Sequence, residues 1–319
     1  MSFAGGIAVV GAFEHPTSFA PNRTAYQIAA ESARGALADA GLTLGDVDGY
    51  ATSGVGPMGV LSMCHHLNLQ PDWVDSTNIG GSSFVAQVAN AGAAIQAGLC
   101  TTVLITYGST AASDRFAVGT GGGMSGDPTD AFVLPYGPTI VGAYGMVAQR
   151  HMHEFGTTAE QLAEVAVTMR NHAALNPRAK YRNRITVEDV LASRMVSSPL
   201  HLLDCCLISD GGGALVVTSA DRALDLRQKP IPVLGSGQAV RHSGTGHRDL
   251  VDIAARQSGA HAFAQAGLVP KDIDFCMIRF LHHHRPRDVG ESGFLPDGGR
   301  WFLCRKRCHW FGRSPSAEP

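Results

Sequence analysis

The side chains best placed for chemistry lie in residues 75–98, DSTNIGGSSFVAQVANAGAAIQAG. The stretch begins polar, passes through Gly80-Gly81-Ser82-Ser83, and continues apolar without a charge. Phe84, Val85, Val88, Ala91, Gly92 and Ile95 recur at helical spacing. This reads as a tight turn feeding the N-terminus of a buried helix, with small residues that let neighbours pack on all sides. Such an end presents unpaired N–H groups and a partial positive charge. A serine or cysteine there faces a ligand and is favoured as an anion. Two serines stand at that place and no cysteine does. Two readings of Ser82 and Ser83 stay open: they meet a ligand, or they only cap the helix.

Other constellations are weaker. Cys64-His65-His66 has the residue types of a Cys–His nucleophile, but nothing fixes either histidine beside the thiol. Cys64, Cys100, Cys276 and the vicinal Cys205-Cys206 read as packing residues. His282-His283-His284 followed by Cys304-x-x-x-Cys308-His309 lacks the spacing of a zinc knuckle, so no metal site is expected. The glycine run at 119–123 has no G-K-[ST] or strand–helix context and is not a phosphate loop.

With 319 residues, 45% hydrophobic and 16% charged, the chain is long and apolar enough for a large core. Its formal net charge of -2 gives no reason to expect nucleic acid or an anionic membrane as partner. No basic segment precedes the first apolar run, so no signal peptide is expected, and no uncharged run is long enough for a transmembrane helix. Seven cysteines without a regular framework point to free thiols in a reducing cytoplasm.

The elements that must position the turn follow from periodicity and punctuation. Strands are expected at 6–11, 47–52, 101–107, 214–218, 232–240 and 273–278. A helix capped by Thr24 runs to about Asp39 and stops at Gly41, and a short one is expected near 60–67. Residues 139–154 are helical. Thr157-Thr158-Ala159-Glu160 reads as a capping box for a helix to about Ala174, and Thr186 caps another over 187–193. A last helix is expected over about 249–266, ending at Gly267. Residues 109–200 look like an insertion over the core, of the kind that carries substrate contacts.

One internal repeat stands out. Ala36-Leu37-Ala38-Asp39-Ala40-Gly41-Leu42, then Asp46-Val47-Asp48, returns as Ala262-Phe263-Ala264-Gln265-Ala266-Gly267-Leu268, then Asp272-Ile273-Asp274. Each copy reads as helix, glycine stop, short loop and strand. The preferred reading is a duplicated α/β unit giving two related halves.

A duplicated α/β architecture with a glycine-serine turn before a buried helix resembles the thiolase superfamily, most closely its sterol-carrier-protein and lipid-transfer-protein type members. Three stretches add to the resemblance. Gly145-Met146-Val147-Ala148-Gln149-Arg150-His151-Met152, with Phe155-Gly156-Thr157, is similar to the family's loop-domain helix pair. Asn171-His172-Ala173-Ala174-Leu175-Asn176-Pro177 is similar to its N-H-x-x-x-N-P segment. Residues 204–214, DCCLISDGGGA, resemble its C-C-x-x-S-D-G-A-A signature. The resemblance covers about residues 5–278. It implies an α/β fold of the five-layered αβαβα thiolase kind, with an N-terminal half over 1–220 that includes the 109–200 insertion. The C-terminal half, beginning over 221–278, is incomplete.

The resemblance also implies a homodimer, an acyl-CoA ligand in which coenzyme A is part of the substrate, no separate cofactor, and chemistry at a carbon–carbon bond. Two departures shape that expectation. Counted back from Ile95-Gln96-Ala97-Gly98, the nucleophilic cysteine of a thiolase falls at Gly81. Serine is a far weaker nucleophile, so thiolysis is disfavoured. Some lipid-transfer-type members that act on steroid side-chain CoA esters also lack this cysteine and are retro-aldolases with a tyrosine base. In that setting Gly81, Ser82 and Ser83 are the catalytic positions, polarising the thioester through the turn's N–H groups. Gly80, Tyr136, Tyr144, His151 and Met152 are then substrate contacts, with ordinary packing as the alternative for the last four. Such members often work beside a small OB-fold, zinc-binding partner. A non-catalytic acyl-CoA or lipid-binding subunit is the competing reading.

The second departure follows Ile278. Residues 279–319 hold two of the three tryptophans and no periodic element. The family's tyrosine or histidine after this strand is replaced by Arg279, and the G-H-P histidine segment is missing. Permissible codons for residues 279–294, read one base later, can spell the family-like DSFTITALVTLESLGF. The tail therefore reads as a change of reading frame just after Ile278, and the chain as written is expected to be weakly active. Sequencing the gene across that codon tests this: an intact frame with a matching protein mass would sink it.

Overall fold

The computed structural model describes residues 5–56, 58–116, 132, 134–137, 139–240 and 254–274. The expectations for residues 279–319 and the glycine run at 119–123 lie outside the described residues. The described parts fall into two compact units. One takes them from Met1–Arg115, Ser209–Gln238 and His261–Gly267, the other from Phe116–Ile208, Ala239–Ala260 and Leu268–Pro319.

The first unit is built on a six-stranded mixed sheet. Its strands are β1 (Ile7–Glu14), β2 (Gly49–Thr52), β3 (Trp73–Asp75), β4 (Thr102–Ser109), β7 (Gly211–Ser219) and β8 (Ile231–Pro232), in the order β3-β2-β4-β7-β1-β8. β2 is parallel to β3 and β4; β7 is antiparallel to β4 and β1. Strands β1 to β4 therefore all point the same way. Two helices, α1 (Ala25–Ala40) and α2 (Gly59–Leu67), cover one face, where Ala29, Ala33, Ala36, Leu37 and Met63 pack with Val10, Leu104 and Val216. The helix α3 (Ser83–Gln96) covers the other, where Ala89, Ala91 and Ala94 meet Ile7, Ala51, Val103, Ile105 and Val217.

Local chemistry explains why α1 starts and stops where it does. Thr24 and Gln27 form a reciprocal capping box, and Gly41 ends the helix at φ 76°. Asp48 ties β2 to β4 by accepting hydrogen bonds from the Thr101 and Thr102 amides and the Thr101 hydroxyl, at 2.7–2.9 Å. Burial pushes this carboxyl up, but those donors outweigh it and hold it below its ordinary range.

The sequence repeat has a structural counterpart. A Cβ at Gly11 would sit 3.2 Å from Ala40 N and against Ala36 O; one at Gly235 would sit 3.0 Å from Ala266 N and against Ala262 O. Ala12 N donates to Asp39 Oδ2, and Ser236 N to Gln265 Oε1, both at 3.0 Å. Each helix, α1 and α7 (Ala255–Ala266), then stops at a left-handed glycine, Gly41 or Gly267, and a one-turn 3-10 helix follows, Leu44–Asp46 or Pro270–Asp272. Matching residues thus make matching contacts between a helix and a glycine-containing segment in the two copies.

The second unit holds α4 (Ile140–Phe155), α5 (Ala159–Leu175), α6 (Val187–Ala192) and a hairpin of β5 (Met195–Ser197) and β6 (Leu200–His201). Ala148, Leu162 and Leu200 form one apolar cluster, and Ala163, Ala166 and Val190 another.

Several expectations need correction. The box of α5 is Thr158 with Gln161, one residue later than Thr157 with Glu160, because Thr157 is buried and bonded to His151. The glycines 211–213 belong to β7, which begins three residues before the strand expected over 214–218. Gly212 faces α1 so closely that a Cβ would meet Ile28 Cγ2 at 2.7 Å. In place of the strand expected over 232–240, the strand formed is the two-residue β8, Ile231–Pro232. β3 was not foreseen, since three residues are too few for a period. The strand at 273–278 and the start of the last helix at 249–253 fall largely outside the described residues, and Ile273 and Asp274 are not in a strand.

Gly11→Val places branched carbons where the α1 backbone lies. A loss of about 1–3 kcal/mol is expected from such overpacking, measured by urea unfolding of the purified chain. Unchanged stability would mean that α1 and β1 are not in backbone contact.

Candidate active site at the turn before α3

The strand directions decide where a ligand can meet the first unit. The loops that follow β1, β2, β3 and β4, and the segment that enters β7, all emerge at one edge of the sheet, the carboxyl edge of the four co-directed strands. Open α/β sheets bind ligands outside that edge. α3 follows β3 and returns along the sheet, so its N-terminus lies there, carrying the partial positive charge of a helix start.

The turn itself is exposed. Gly80 sits at φ 82°, a left-handed conformation that only glycine adopts without strain. Gly80, Gly81 and Ser82 are all exposed and lie in a one-turn 3-10 helix that runs into α3. The two serines separate. Ser82 makes no side-chain capping bond. Ser83 is fully buried; its hydroxyl donates to Gly80 O at 2.5 Å and accepts from Ile79 N at 2.9 Å. The Ser83 side chain therefore closes the turn, while Ser82 stands at its open face.

A polar network beneath the turn holds the approach from β3. Asp75 accepts from the Thr77 amide and hydroxyl, both at 2.7 Å, and from Asn90 at 2.8 Å. Gln87, fully buried, donates to Thr77 O at 3.2 Å, and its Oε1 has no partner among the described residues. The helix is not buried all round as expected. Val85 is 72% exposed, because the face that packs on the sheet is the small one, Ala86, Ala89 and Gly92 with Ser83.

Asp210, from the Ser209-Asp210-Gly211 signature, binds the neighbouring loops together. Its carboxylate accepts from Ala20 N at 2.6 Å, Ala112 N at 2.9 Å, Ser113 N at 3.0 Å and the Ser113 hydroxyl, while its own amide donates to Ser18 O at 3.1 Å. The signature is visible in the sequence, but nothing there gives this aspartate a role, since its partners lie far away in the chain.

The other expected contacts fall in the second unit. Tyr136 is 89% exposed. Tyr144 and Met152 pack against the Ala148, Leu162 and Leu200 cluster. His151 is 3% exposed, its Nδ1 2.7 Å from the Thr157 hydroxyl and its ring 4.7 Å from Phe155. Packing is thus what the contacts of Tyr144, His151 and Met152 describe. Among the described cysteines none sits at the turn, and burial pushes the Cys100 and Cys205 thiols up to about 11. No group of three metal-ligating side chains occurs among the described residues.

Burial pushes the Asp210 carboxyl up, but the hydrogen bonds from Ser113, Ala20 and Ala112 outweigh it and hold it below its ordinary range. A group with a depressed folded pKa stabilises fully above its unfolded value and loses that contribution as pH falls through the folded one. Asp210→Asn is therefore expected to cost about 1.5–3 kcal/mol near neutrality and to flatten the acid limb of the stability curve. Urea unfolding across the acid range checks both, and an unaltered acid limb would contradict the assignment.

No family model matches the chain. Individual proteins do. A steroid side-chain-cleaving aldolase of Thermomonospora curvata is 35% identical over 322 residues, covering 92% of this chain and 79% of that one. The solved Ltp2-ChsH2(DUF35) aldolase is 32% identical, with a TM-score of 0.81, over 92% of this chain and 78% of that one. A monomeric SCP2-thiolase like protein type 1 of Mycobacterium smegmatis shares the fold, with a TM-score of 0.72 at 18% identity over 92% of this chain and 65% of that one. The chain therefore belongs to the thiolase superfamily, in the lipid-transfer type group of acyl-CoA aldolases.

Proposed function

We propose that this chain cleaves a carbon–carbon bond in a bulky β-hydroxyacyl-CoA, of the steroid side-chain kind, by a retro-aldol reaction. One observation carries the reading: the turn Gly80-Gly81-Ser82 lies exposed at a helix start and holds no cysteine, in a chain 35% identical to a side-chain-cleaving aldolase. A retro-aldol step needs no acyl-enzyme. The β-hydroxyl gives up its proton and becomes the carbonyl of a ketone. The Cα–Cβ electron pair moves into the thioester as an enolate, which then takes a proton at Cα. Donors fixed at the developing oxyanion stabilise it most when they are preorganised. The turn is held from beneath by Ser83 and by the Asp75–Thr77–Asn90 network, so it meets that requirement.

One stretch carries charge of the kind the phosphates of coenzyme A require. Residues 165–187 contain no acidic residue and include Arg170, Arg178, Lys180, Arg182 and Arg184. The full assembly in this reading is a homodimer working in the cytoplasm beside a small OB-fold, zinc-binding partner. Support for the partner is the ChsH2(DUF35) component of the similar aldolase.

The test is stoichiometry. The full chain, and a chain with the family-like frame restored after Ile278, are incubated with a steroid β-hydroxyacyl-CoA, with and without free coenzyme A. One ketone and one shortened acyl-CoA per turnover, without uptake of free coenzyme A, is the expected result. Lys180→Ala with Arg184→Ala should raise KM severalfold and leave kcat. Cleavage of a β-ketoacyl-CoA that consumes one coenzyme A would establish thiolysis instead, and tight binding without product in both chains would establish a binding subunit.

A further inference from the structure

Tyr107 has a place at this site that the thiolase comparison does not assign. It lies near the carboxyl end of β4. Alternation along that strand sends Leu104 and Thr106 to the α1 face, where Thr106 meets the buried Tyr50 hydroxyl at 2.6 Å, and sends Val103 and Ile105 to the α3 face. Tyr107 continues the α3 series by one step, toward the edge where α3 begins. Its ring packs on Phe84, in the first turn of α3, with centroids 5.1 Å apart and planes inclined by 58°. On another side it borders Gly54, in the loop after β2, where an added Cβ would lie 3.8 Å from Tyr107 Cε2. The ring is thus held between two carboxyl-edge elements. The residue is 37% exposed, and its hydroxyl has no hydrogen-bond partner among the described residues. Tyr50, on the opposite face, is fully buried and spends its hydroxyl on Thr106.

We propose that the Tyr107 phenol is a catalytic residue that donates a hydrogen bond to the thioester oxygen as charge gathers there, beside the turn at residues 80–83. The inference rests on the acyl-CoA reading of that turn. A neutral phenol suits this role because it offers one O–H donor without bringing a charge, and its ring is already fixed by packing. No proton leaves Tyr107. The β-hydroxyl proton passes to solvent or base, and the enolate is protonated at carbon.

The experiment reads the carbonyl directly. Cinnamoyl-CoA is a chromogenic thioester whose absorption moves to longer wavelength when its carbonyl accepts hydrogen bonds. With the full chain, a red shift on binding is expected. Tyr107→Phe keeps the ring on Phe84, so the affinity and melting temperature should hold while the shift falls by about half. In the aldol assay kcat/KM should fall about 10²-fold or more. Tyr107→Leu should lose both packing and shift. Three results would overturn the inference: no shift with the wild type, the same shift with Tyr107→Phe, or no binding of cinnamoyl-CoA at all. A preserved, Tyr107-dependent shift without any aldol cleavage would sink only the retro-aldol reading.

Discussion

The carboxyl edge of this sheet hangs on one carboxylate. Asp210 enters β7 from the far end of a long excursion and gathers donors from two loops, Ala20 after β1 and Ala112 and Ser113 after β4. Ionised aspartate is an acceptor with room for several such bonds, and each is stronger for its charge. The result is a set of loops fixed to one another before any ligand arrives. The three glycines that follow serve the same end in another way. With no side chain at Gly212, α1 lies directly on the strand, so the loop on either side of it has little slack.

Preorganisation on one side of the sheet meets an opening on the other. α3 packs through alanine, glycine and a buried serine, which brings its start close to the strands. Ser83 then satisfies the turn from within, leaving Gly80, Gly81 and Ser82 exposed. No cysteine stands there. This chain keeps the helix start and its field but offers backbone and hydroxyl groups only. That combination favours holding a polarised thioester over attacking it, because a helix start stabilises negative charge whether or not a nucleophile stands beside it.

Much of the fold was legible in the chain. Strand-length β-rich runs marked β1, β2 and β4, and Thr24 with Gly41 marked both ends of α1. The repeat was legible too, because the same small residues are needed wherever a helix backbone meets a glycine of a neighbouring segment, as at Gly11 and Gly235. The misreadings share a cause. β3 and β8 are two or three residues long, too short for any period, and exist because a neighbour pairs with them. Gly211 to Gly213 lay outside the strand expected over 214–218, because glycine carries no β-rich signal, and they join it because β4 pairs with them.

The sequence by itself determined the family, the duplicated unit, the absence of a cysteine from residues 75–98 and the helix start there, since these are matters of residue type and spacing. Only the tertiary structure decided which serine is free. Ser82 and Ser83 are chemically identical, and their difference is that helical geometry turns one hydroxyl inward onto Gly80 O and the other outward. It alone also placed Asp210 among its donors and Tyr107 against Phe84, because those contacts join residues far apart in the chain. The turn at residues 80–83 was the feature the sequence singled out; what surrounds it is set by the order in which the strands assemble.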